Sequence, residues 1–252
     1  MPVFPQVMFY PVTRHLSVRT VLNQLADGNT VIFPDSDASL RGWELQAKGL
    51  TTAEWNAIES FYNSVSGQWQ TFTFLDPIGN LLANSEDFTA SSWTNGPLIQ
   101  LSGNVADPFG ATRATHAVNT GQAAQTIAQT LSVPGNFQYA LSLWVRGSSL
   151  TLTAASATRA FSGNSNWRRI SFSVSLGQNS NTVTFGAQLS PGASVDLFGM
   201  QVDAQAAPSD YKRTGAAGGV YSNARFSTDA FTLQAQGTDV YDATIRIVSS
   251  GS

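Results

Sequence analysis

Few residues of this chain have the types and the spacing that enzymatic catalysis requires. His15 and His116 are its two histidines, and neither lies within an H-E-x-x-H or G-x-S-x-G motif. The neighbouring carboxylates Glu86 and Asp87 are of the type that glycosidases use, but adjacent side chains of an extended chain point to opposite faces. We therefore expect that the chain is not an enzyme, that the histidines have no catalytic role, and that Glu86 and Asp87 organise a loop.

Oxygen atoms that could bind a cation occur in acidic turns. Residues 35–37 (DSD) form one such group, and Asp107 could combine with Asp196 or Asp203. Calcium prefers such ligands, yet the spacing of an EF-hand is absent, and acidic turns usually cap their own backbone. The absence of cysteine excludes disulfides and thiolate metal sites. We predict no cofactor, with a structural calcium ion as the alternative.

The composition favours a β protein with a neutral, polar surface. Charged residues make up 12% of the 252 residues, against about 25% in a typical soluble domain, and hydroxyl, amide and glycine residues take their place. Lysine occurs only at positions 48 and 212 and the formal net charge is -3, so we expect no nucleic-acid partner. The sequence has no stretch of about 18 apolar residues that could cross a membrane, and its first residues lack the pattern of a secretory signal.

One helix and one strand are predicted within the first 80 residues. Thr51 and Glu54 form a capping box, in which the Thr51 hydroxyl accepts from the Glu54 N–H and Glu54 reaches back. Apolar residues then recur at helical spacing as far as a stop at Gly67, so we predict a helix over 52–65 that packs on a sheet. Residues 69–74 (WQTFTF) alternate in the pattern of a strand.

The pattern along the chain divides it into two predicted domains. Residues 81–213 contain short β-prone runs between turns, which is typical of an antiparallel sandwich or jelly roll. Residues 214–252 add two alternating segments after a flexible glycine-rich joint at 215–219, and two strands need a larger sheet to join. We therefore predict a mainly β chain. A split domain of residues 1–80 and 214–252 forms a small β-barrel or sandwich with the helix, and an antiparallel β jelly roll of residues 81–213 is inserted into it.

Several segments of the split domain resemble bacteriophage tail-tip proteins of the distal-tail and minor-tail type. Residues 42–45 (GWEL), 49–55 (GLTTAEW) and 67–77 (GQWQTFTFLDP) follow the order of strand, helix and strand found in those proteins. The closing segment, 220–248, resembles their final hairpin. The resemblance implies a virion protein of the tail tip, assembled in the host cytoplasm. It would form a homo-oligomeric ring, commonly a hexamer, that joins the tail tube protein to the tail hub or baseplate.

The inserted segment resembles jelly-roll modules of phage tail and prophage proteins, which are similar to carbohydrate-binding domains. The order of its motifs matches throughout the segment. The matching residues are 80–88 (NLLANSEDF), Trp93, 107–113 (DPFGATR), 139–147 (YALSLWVRG), 167–170 (WRRI), 197–202 (LFGMQV) and 208–211 (PSDY).

This second resemblance implies a saccharide site built on aromatic side chains. The apolar face of a ring can stack on the C–H face of a pyranose, while amides or guanidinium groups bind its hydroxyls. Trp144 and Arg146 lie on the side of their predicted strand opposite Leu141, Leu143 and Val145, so they face either solvent or a binding surface. Core packing is the alternative for each tryptophan. The candidate site residues are Trp144, Trp167, Trp93, Tyr211 and Arg146.

These observations predict a structural phage protein with an outward module for weak adhesion to host saccharide. About six weak sites on one particle would bind together through their high effective concentration. The low charge suits neutral sugars, whose hydroxyls are recognised by hydrogen bonds. One alternative is a purely architectural insert that serves as a docking platform for tail fibres. A further alternative, with less support, is a glycan-degrading enzyme.

Overall fold

The computed structural model describes residues 1–7, 9–177 and 179–250, without the side chains of residues 36–39. Within these residues it contains one helix and sixteen strands, which confirms the predicted mainly β fold. No helix in this part of the chain has the length and apolar character needed to cross a bilayer. The elements in chain order are β1 (Val12–Gln24), β2 (Thr30–Leu50), α1 (Thr52–Ser64), β3 (Phe72–Leu75), β4 (Thr94–Asn95), β5 (Ile99–Val105), β6 (Ala114–Asn119), β7 (Gln125–Leu131), β8 (Gln138–Gly147), β9 (Leu150–Ala154), β10 (Ala157–Phe161), β11 (Asn164–Ser175), β12 (Val183–Leu189), β13 (Ser194–Asp203), β14 (Val220–Phe226), β15 (Leu233–Gly237) and β16 (Val240–Ser250).

The chain folds into two compact units. Unit 1 comprises Met1–Phe74 and Tyr221–Ser252, and unit 2 comprises Leu75–Val220. The domain boundaries predicted from the sequence, at 80/81 and 213/214, both fall inside unit 2.

Hydrogen bonds join the segments by which the chain enters and leaves unit 2. The Asp76 N–H donates to the Gly219 carbonyl at 2.9 Å, and the Gly219 N–H donates to the Asn80 carbonyl at 2.8 Å. A Cβ at Gly218 would lie 2.1 Å from the Leu81 carbonyl oxygen, so only glycine fits at this close approach. The prediction of a flexible joint at 215–219 is therefore wrong at its C-terminal end, where the backbone is packed and bonded.

Unit 1 is built on one six-stranded sheet. Its strand order is β1-β2-β16-β14-β3, with β15 paired to β16. β16 runs antiparallel to β2, with Ile245 opposite Leu45, so the C-terminal strand completes the sheet that the N-terminal strands begin. Trp43, Leu45, Phe72 and Ile245 are buried in its core, together with Ile58 of the helix.

The helix begins where its capping box predicts. Thr51 Oγ1 accepts from the Glu54 N–H at 3.3 Å, and Glu54 Oε2 accepts from the Thr51 N–H at 2.9 Å. The helix ends at Ser64, just before the predicted end at position 65. Positive φ angles at Ser66 (54°) and Gly67 (63°) then turn the backbone out of the helix.

The strand predicted over 69–74 begins later than expected, at Phe72. The residues before it form turns, in which the N–H groups of Trp69 and Gln70 donate to the carbonyls of Ser66 and Val65 at 3.2 and 3.1 Å. These bonds hold Trp69 out of the sheet, and its side chain is 73% exposed.

A long hairpin lies at the edge of the unit 1 sheet. β1 and β2 pair from Val12 opposite Leu45 to Gln24 opposite Thr30. Most of β1 is exposed on both of its faces, and the ribbon ends in a turn that includes Gly28 at φ 85°. We call the stretch 16–34 the β1–β2 hairpin.

Unit 2 is a sandwich of two antiparallel five-stranded sheets. Their strand orders are β10-β9-β12-β7-β4 and β11-β8-β13-β6-β5. Alternate residues of both sheets form one buried core, for example Leu152 and Phe185 from the first sheet and Leu143 and Leu197 from the second. Each sheet therefore has one side packed on the core and one side directed away from it.

Candidate functional site

The candidate site lies on unit 2, on the side of the β11-β8-β13-β6-β5 sheet that points away from the core; we call this side the outer face. Leu141, Leu143 and Val145 of β8 are core residues, so alternation places Trp144 and Arg146 on the outer face, as the sequence predicts. Directly paired residues share a face. Pairing along the neighbouring strands adds Arg169, Phe198, Asp196 and His116 to the outer face.

An aromatic cluster occupies the middle of the outer face. The ring of Phe109, from the β5–β6 loop, lies edge-on to Trp144 with ring centres 5.5 Å apart and edge-on to Phe198 at 5.9 Å. Phe198 is fully buried beneath this cluster although it points away from the sandwich core, and Trp144 is half-buried. The Phe109 side chain remains 60% exposed, which makes it the most accessible ring of the cluster.

A buried carboxylate holds the Phe109 loop in place. Asp107 Oδ1 accepts from the N–H groups of Phe109 and Ala111 at 2.8 and 3.2 Å, and Oδ2 accepts from Arg113 Nε at 2.9 Å. Burial opposes ionisation of this carboxyl, but the two N–H groups and the Arg113 guanidinium outweigh it and hold the pKa of Asp107 below its ordinary value. Gly110 closes the turn at φ 88°. The exposed ring is therefore presented by a rigid loop.

Tyr211 supports the cluster from the segment that follows β13. Its ring centre lies 5.5 Å from that of Phe198, and its hydroxyl lies 2.9 Å from Ser85 Oγ and 3.1 Å from Glu86 Oε1. Burial, with a further contribution from the Glu86 charge, raises the pKa of the Tyr211 phenol well above its ordinary value. With its ring packed and its hydroxyl bonded, the half-buried Tyr211 supports the site, and its role as a ligand contact stays a prediction.

Glu86 is the centre of an ion-pair network beneath the same loop. Its Oε1 lies 3.1 Å from Arg113 Nη1, and its Oε2 lies 3.1 Å from Arg213 Nε. Asp87, in contrast, is exposed and accepts from the Thr89 N–H at 3.0 Å. Glu86 and Asp87 therefore organise the local backbone and side chains, as the sequence predicts.

Trp167 and Arg146 are in contact at one end of the outer face. The guanidinium carbon of Arg146 lies 4.9 Å from the centre of the Trp167 ring, a cation–π arrangement. Arg146 Nε also donates to Asp196 Oδ2 at 2.7 Å, and Trp167 Nε1 donates to the Ala106 carbonyl at 3.2 Å. Both predicted residues are thus on one surface, and Arg146 already has a carboxylate partner.

Ser194, His116 and Asp196 form a hydrogen-bonded chain across two strands. His116 Nδ1 lies 2.6 Å from Asp196 Oδ1, and Ser194 Oγ lies 3.3 Å from His116 Nε2. This order is that of a nucleophile, its base and the group that orients the base. Acyl transfer also needs free N–H donors for an oxyanion, but the N–H groups of Ser148, Ala193 and Ser194 already donate to protein oxygens. The geometry therefore favours a structural role for His116.

Trp93 is a core residue, which removes it from the predicted set of ligand contacts. Its side chain is 6% exposed, and its ring lies 5.0 Å from Phe88 inside the sandwich. Its Nε1 donates to the Asn84 carbonyl at 3.0 Å, so its polar atom is satisfied within the protein.

Two polar groups at the Trp144 position have no hydrogen-bond partner within the described residues. They are Nε1 of Trp144 itself and Nε of Arg169, which lies directly opposite Trp144 in the β8–β11 pair. Arg169 Nη2 donates to Ser142 Oγ at 2.9 Å. Burial lowers the pKa of the Arg169 guanidinium, with Asp203 and Asp210 opposing the shift. Buried donors normally have partners, so these two are exceptions in the fold, and both atoms lie beneath the solvent-accessible surface.

The acidic residues considered as calcium ligands are bonded to other protein groups. Asp196 pairs with Arg146 and His116, and Asp203 accepts from Ser209 Oγ at 2.5 Å. Residues 35–37 lie within β2 and do not form the predicted turn. Asp35 pairs with Arg19 at 3.1 Å, while the side chains of residues 36 and 37 lie outside the described residues. Across the residues that the structure describes, no three His, Cys, Asp or Glu side chains are grouped as metal ligands.

Phe109 and Arg169 belong to the site although the sequence patterns do not single them out. Phe109 follows Asp107 and a proline and precedes Gly110, an order typical of a tight turn whose middle residue is exposed. That turn is the signal that could identify it. Arg169 is recognisable only after β11 is paired with Trp144, because its role depends on a cross-strand neighbour.

No protein-family model matches the chain, and no curated protein matches it in sequence. Among solved structures, the CBM22-1 xylan-binding domain of Paenibacillus barcinonensis Xyn10C is similar, with a TM-score of 0.41 at 15% identity over 53% of this chain and 99% of that domain. TmCBM61, solved in complex with β-1,4-galactotriose, has a TM-score of 0.36 at 13% identity over 50% of this chain and 99% of that one.

A phage protein has a similar fold as well. The enzymatically active domain of bacteriophage CBA120 tailspike protein 4 has a TM-score of 0.41 at 13% identity, over 52% of this chain. The match spans 22% of that structure's own length. The β-sandwich of unit 2 follows from its own two antiparallel sheets and their shared core.

Proposed function

We propose that unit 2 binds a saccharide on its outer face, weakly at each copy. The observation that carries this proposal is the exposed Phe109 ring, which a buried carboxylate holds beside Trp144. Two aromatic rings at a fixed angle offer apolar surface to the C–H face of a sugar ring, while Arg169 supplies hydrogen-bond donors. A rigid site loses little conformational entropy on binding.

The carboxylates in and around the site are already bonded to protein groups, which favours binding without catalysis. Enzymatic hydrolysis of a glycan would need an acid and a base with free access to the bond. Asp196 is bonded to both Arg146 and His116, and Glu86 is bonded to two arginines. We therefore propose that the chain is not an enzyme. Release of reducing ends from host polysaccharide by the purified chain would contradict this.

Glycan-array screening followed by titration calorimetry tests the binding proposal. We expect Trp144→Ala and Phe109→Ala each to weaken binding of the best array ligand at least tenfold, which corresponds to about 1.4 kcal/mol. Trp69→Ala is the matched control, because Trp69 is also an exposed aromatic side chain but belongs to unit 1. Wild-type affinity in Trp144→Ala and Phe109→Ala would overturn the proposal.

We also propose that unit 1 assembles with other copies of itself as a tail-tip ring of a phage particle, between tail tube and hub. The observation that favours this is the β1–β2 hairpin, whose large apolar side chains lie in water on a two-stranded ribbon. A two-stranded ribbon has marginal stability in water unless another surface packs against its apolar side chains. Its most exposed apolar residues are Leu16, Val18, Leu22 and Ile32, at 70%, 73%, 64% and 61%.

Ring assembly would also make weak saccharide sites effective, because about six copies on one particle would bind together. Light scattering coupled to gel filtration tests the assembly. We expect the wild-type chain to form a closed oligomer, a hexamer in this proposal, and the double variant Leu22→Asp with Ile32→Asp to be monomeric at the same concentration. A monomeric wild-type chain would contradict assembly through this hairpin. Assembly with no glycan binding would favour an insert that serves as a docking platform for tail fibres.

A further inference from the structure

The charges of unit 2 are distributed unevenly along its sequence. Between Asp107 and Asp196 the chain carries no acidic residue and no lysine, but it carries five arginines. Carboxylate partners for these arginines must therefore come from outside this stretch. The five are Arg113, Arg146, Arg159, Arg168 and Arg169.

Two of these five arginines have such partners. Arg113 pairs with Asp107 at 2.9 Å and with Glu86 at 3.1 Å, and Arg146 pairs with Asp196 at 2.7 Å. Arg113 thus stabilises the Phe109 loop, and Arg146 stabilises the end of the outer face that contains Trp167.

Arg169 differs from both. In the part of the chain that the structure describes, no carboxylate oxygen lies within 4.0 Å of its guanidinium, and Asp203 and Asp210 act on it only at longer range. Its Nη2 donates to a neutral partner, Ser142 Oγ, at 2.9 Å. Arg169 is therefore a half-buried cation whose charge is not neutralised by direct contact.

The unfilled donors of Arg169 and Trp144 are neighbours. The two residues are directly paired across β11 and β8, and both Arg169 Nε and Trp144 Nε1 have no partner within the described residues. Directly opposite residues of an antiparallel pair have Cβ atoms about 5 Å apart, so an anion bound to the Arg169 guanidinium would lie beside the Trp144 side chain. The planar guanidinium of an arginine matches the two oxygens of a carboxylate.

We propose that the saccharide bound on the outer face is acidic, with its carboxylate on Arg169 and its sugar ring on the aromatic cluster of Trp144 and Phe109. This inference rests on the proposed saccharide-binding function and adds the chemical class of the ligand. It departs from the neutral sugar expected from the low overall charge, because one uncompensated guanidinium at the site outweighs a surface that is neutral on average. A carboxylate there would add attraction between opposite charges to the hydrogen bond, whereas a neutral hydroxyl would form the hydrogen bond alone.

A matched pair of ligands tests the inference. Calorimetric titration of the full chain with α-1,4-linked trigalacturonate, and with the same trisaccharide as its methyl ester, changes the carboxylate while it keeps the sugar ring. We expect the acid to bind at least tenfold more tightly than the ester. An array of uronate-, sialate- and neutral-terminated glycans, run in parallel, should show the same preference for acids over their neutral counterparts.

Three variants test whether the preference for the acid over the ester depends on Arg169. Arg169→Ala should reduce the ratio of acid to ester affinity to near one. Arg159→Ala is the matched control, because it removes the same charge from an exposed position on β10 in the other sheet and should leave the ratio unchanged. Arg169→Lys keeps the charge without the planar fork and should retain only part of the preference. The thermal unfolding temperature of each variant shows whether it is folded.

The outcomes separate the two proposals. Binding of neutral glycans that depends on Trp144, with no preference for acids, would overturn the acidic ligand and leave saccharide binding intact. Equal loss of the preference in Arg169→Ala and Arg159→Ala would also overturn it, since only the net charge would then matter. Failure of every glycan to bind would overturn both.

Discussion

Unit 1 and unit 2 both expose large apolar side chains, but they hold them in different ways. In the β1–β2 hairpin, Leu22 and Ile32 lie on a two-stranded ribbon without a core beneath it. On unit 2, Phe109 extends from a turn whose backbone is bonded to the buried Asp107, above the fully buried Phe198. A fixed ring beside a half-buried guanidinium suits recognition of a small ligand, whereas an apolar ribbon suits burial against a second protein surface.

Among substitutions that compare the two regions, we expect Phe198→Ala in unit 2 to cause the largest loss of stability. The ring is fully buried and contacts Phe109 and Tyr211, so its removal leaves a cavity and should cost about 3–5 kcal/mol. Leu22→Ala is the counterpart in the hairpin, where the exposed side chain should contribute less than about 0.5 kcal/mol to the monomer. Differential scanning calorimetry of both variants measures the difference. Similar losses would mean that the outer-face aromatics are not a packed cluster.

The carboxylates of Asp107 and Asp27, each in a turn, should also differ in their contribution to stability, by a smaller amount. Asp107→Asn keeps an oxygen for the two backbone N–H groups but removes the charge and replaces the oxygen that pairs with Arg113 by an NH₂ group, and we expect a loss of about 2–3 kcal/mol. Asp27→Asn is the control, because Asp27 also accepts from a backbone N–H, that of Asn29 at 3.0 Å, but in an exposed turn of the hairpin. Denaturant unfolding should detect no change for Asp27→Asn. A loss equal to that of Asp107→Asn would contradict the assignment of Asp107 as a buried anchor.

The contribution of Asp107 to stability should depend on pH with the sign that its lowered pKa sets. Its folded-state pKa is lower than the unfolded value of about 3.9. Its contribution is therefore fully present above that unfolded value and is lost as the pH falls through the lower, folded-state pKa. The stability difference between wild type and Asp107→Asn, followed by calorimetry from pH 7 downwards, should shrink in that acidic range. A difference that stays constant, or grows as the pH falls, would exclude this linkage.

Local patterns predict the elements of this chain well, because their causes are local. The capping box of Thr51 and Glu54 marks the start of the helix, and alternation around Trp144 places that residue on the outer face. A cap involves residues three positions apart, and alternation follows from the pleat of a single strand. Neither depends on the rest of the fold.

The make-up of the site is less predictable, because it depends on contacts between distant segments. Trp93 and Trp144 are equally good candidates by residue type, yet one packs on Phe88 in the core and the other faces outward. Arg169 becomes a site residue only through its cross-strand position opposite Trp144. Phe109 gains its support from Phe198, which is far from it in sequence. Sequence patterns report faces of strands, not which strands become neighbours.

Two glycines offer the smallest and most closely matched test of the comparison. Gly110 in the Phe109 loop and Gly28 in the hairpin turn have φ angles of 88° and 85°, and a Cβ at either position would meet no atom within 4 Å. Alanine at each should therefore cost about the same, near 1 kcal/mol, from backbone strain alone. Only Gly110→Ala should also weaken saccharide binding, because relaxation of its turn moves the Phe109 ring. If Gly28→Ala weakened binding as much, the effect would be one of general stability. If Gly110→Ala bound like wild type, the site would not require a fixed Phe109, and preorganisation would no longer distinguish unit 2 from the hairpin.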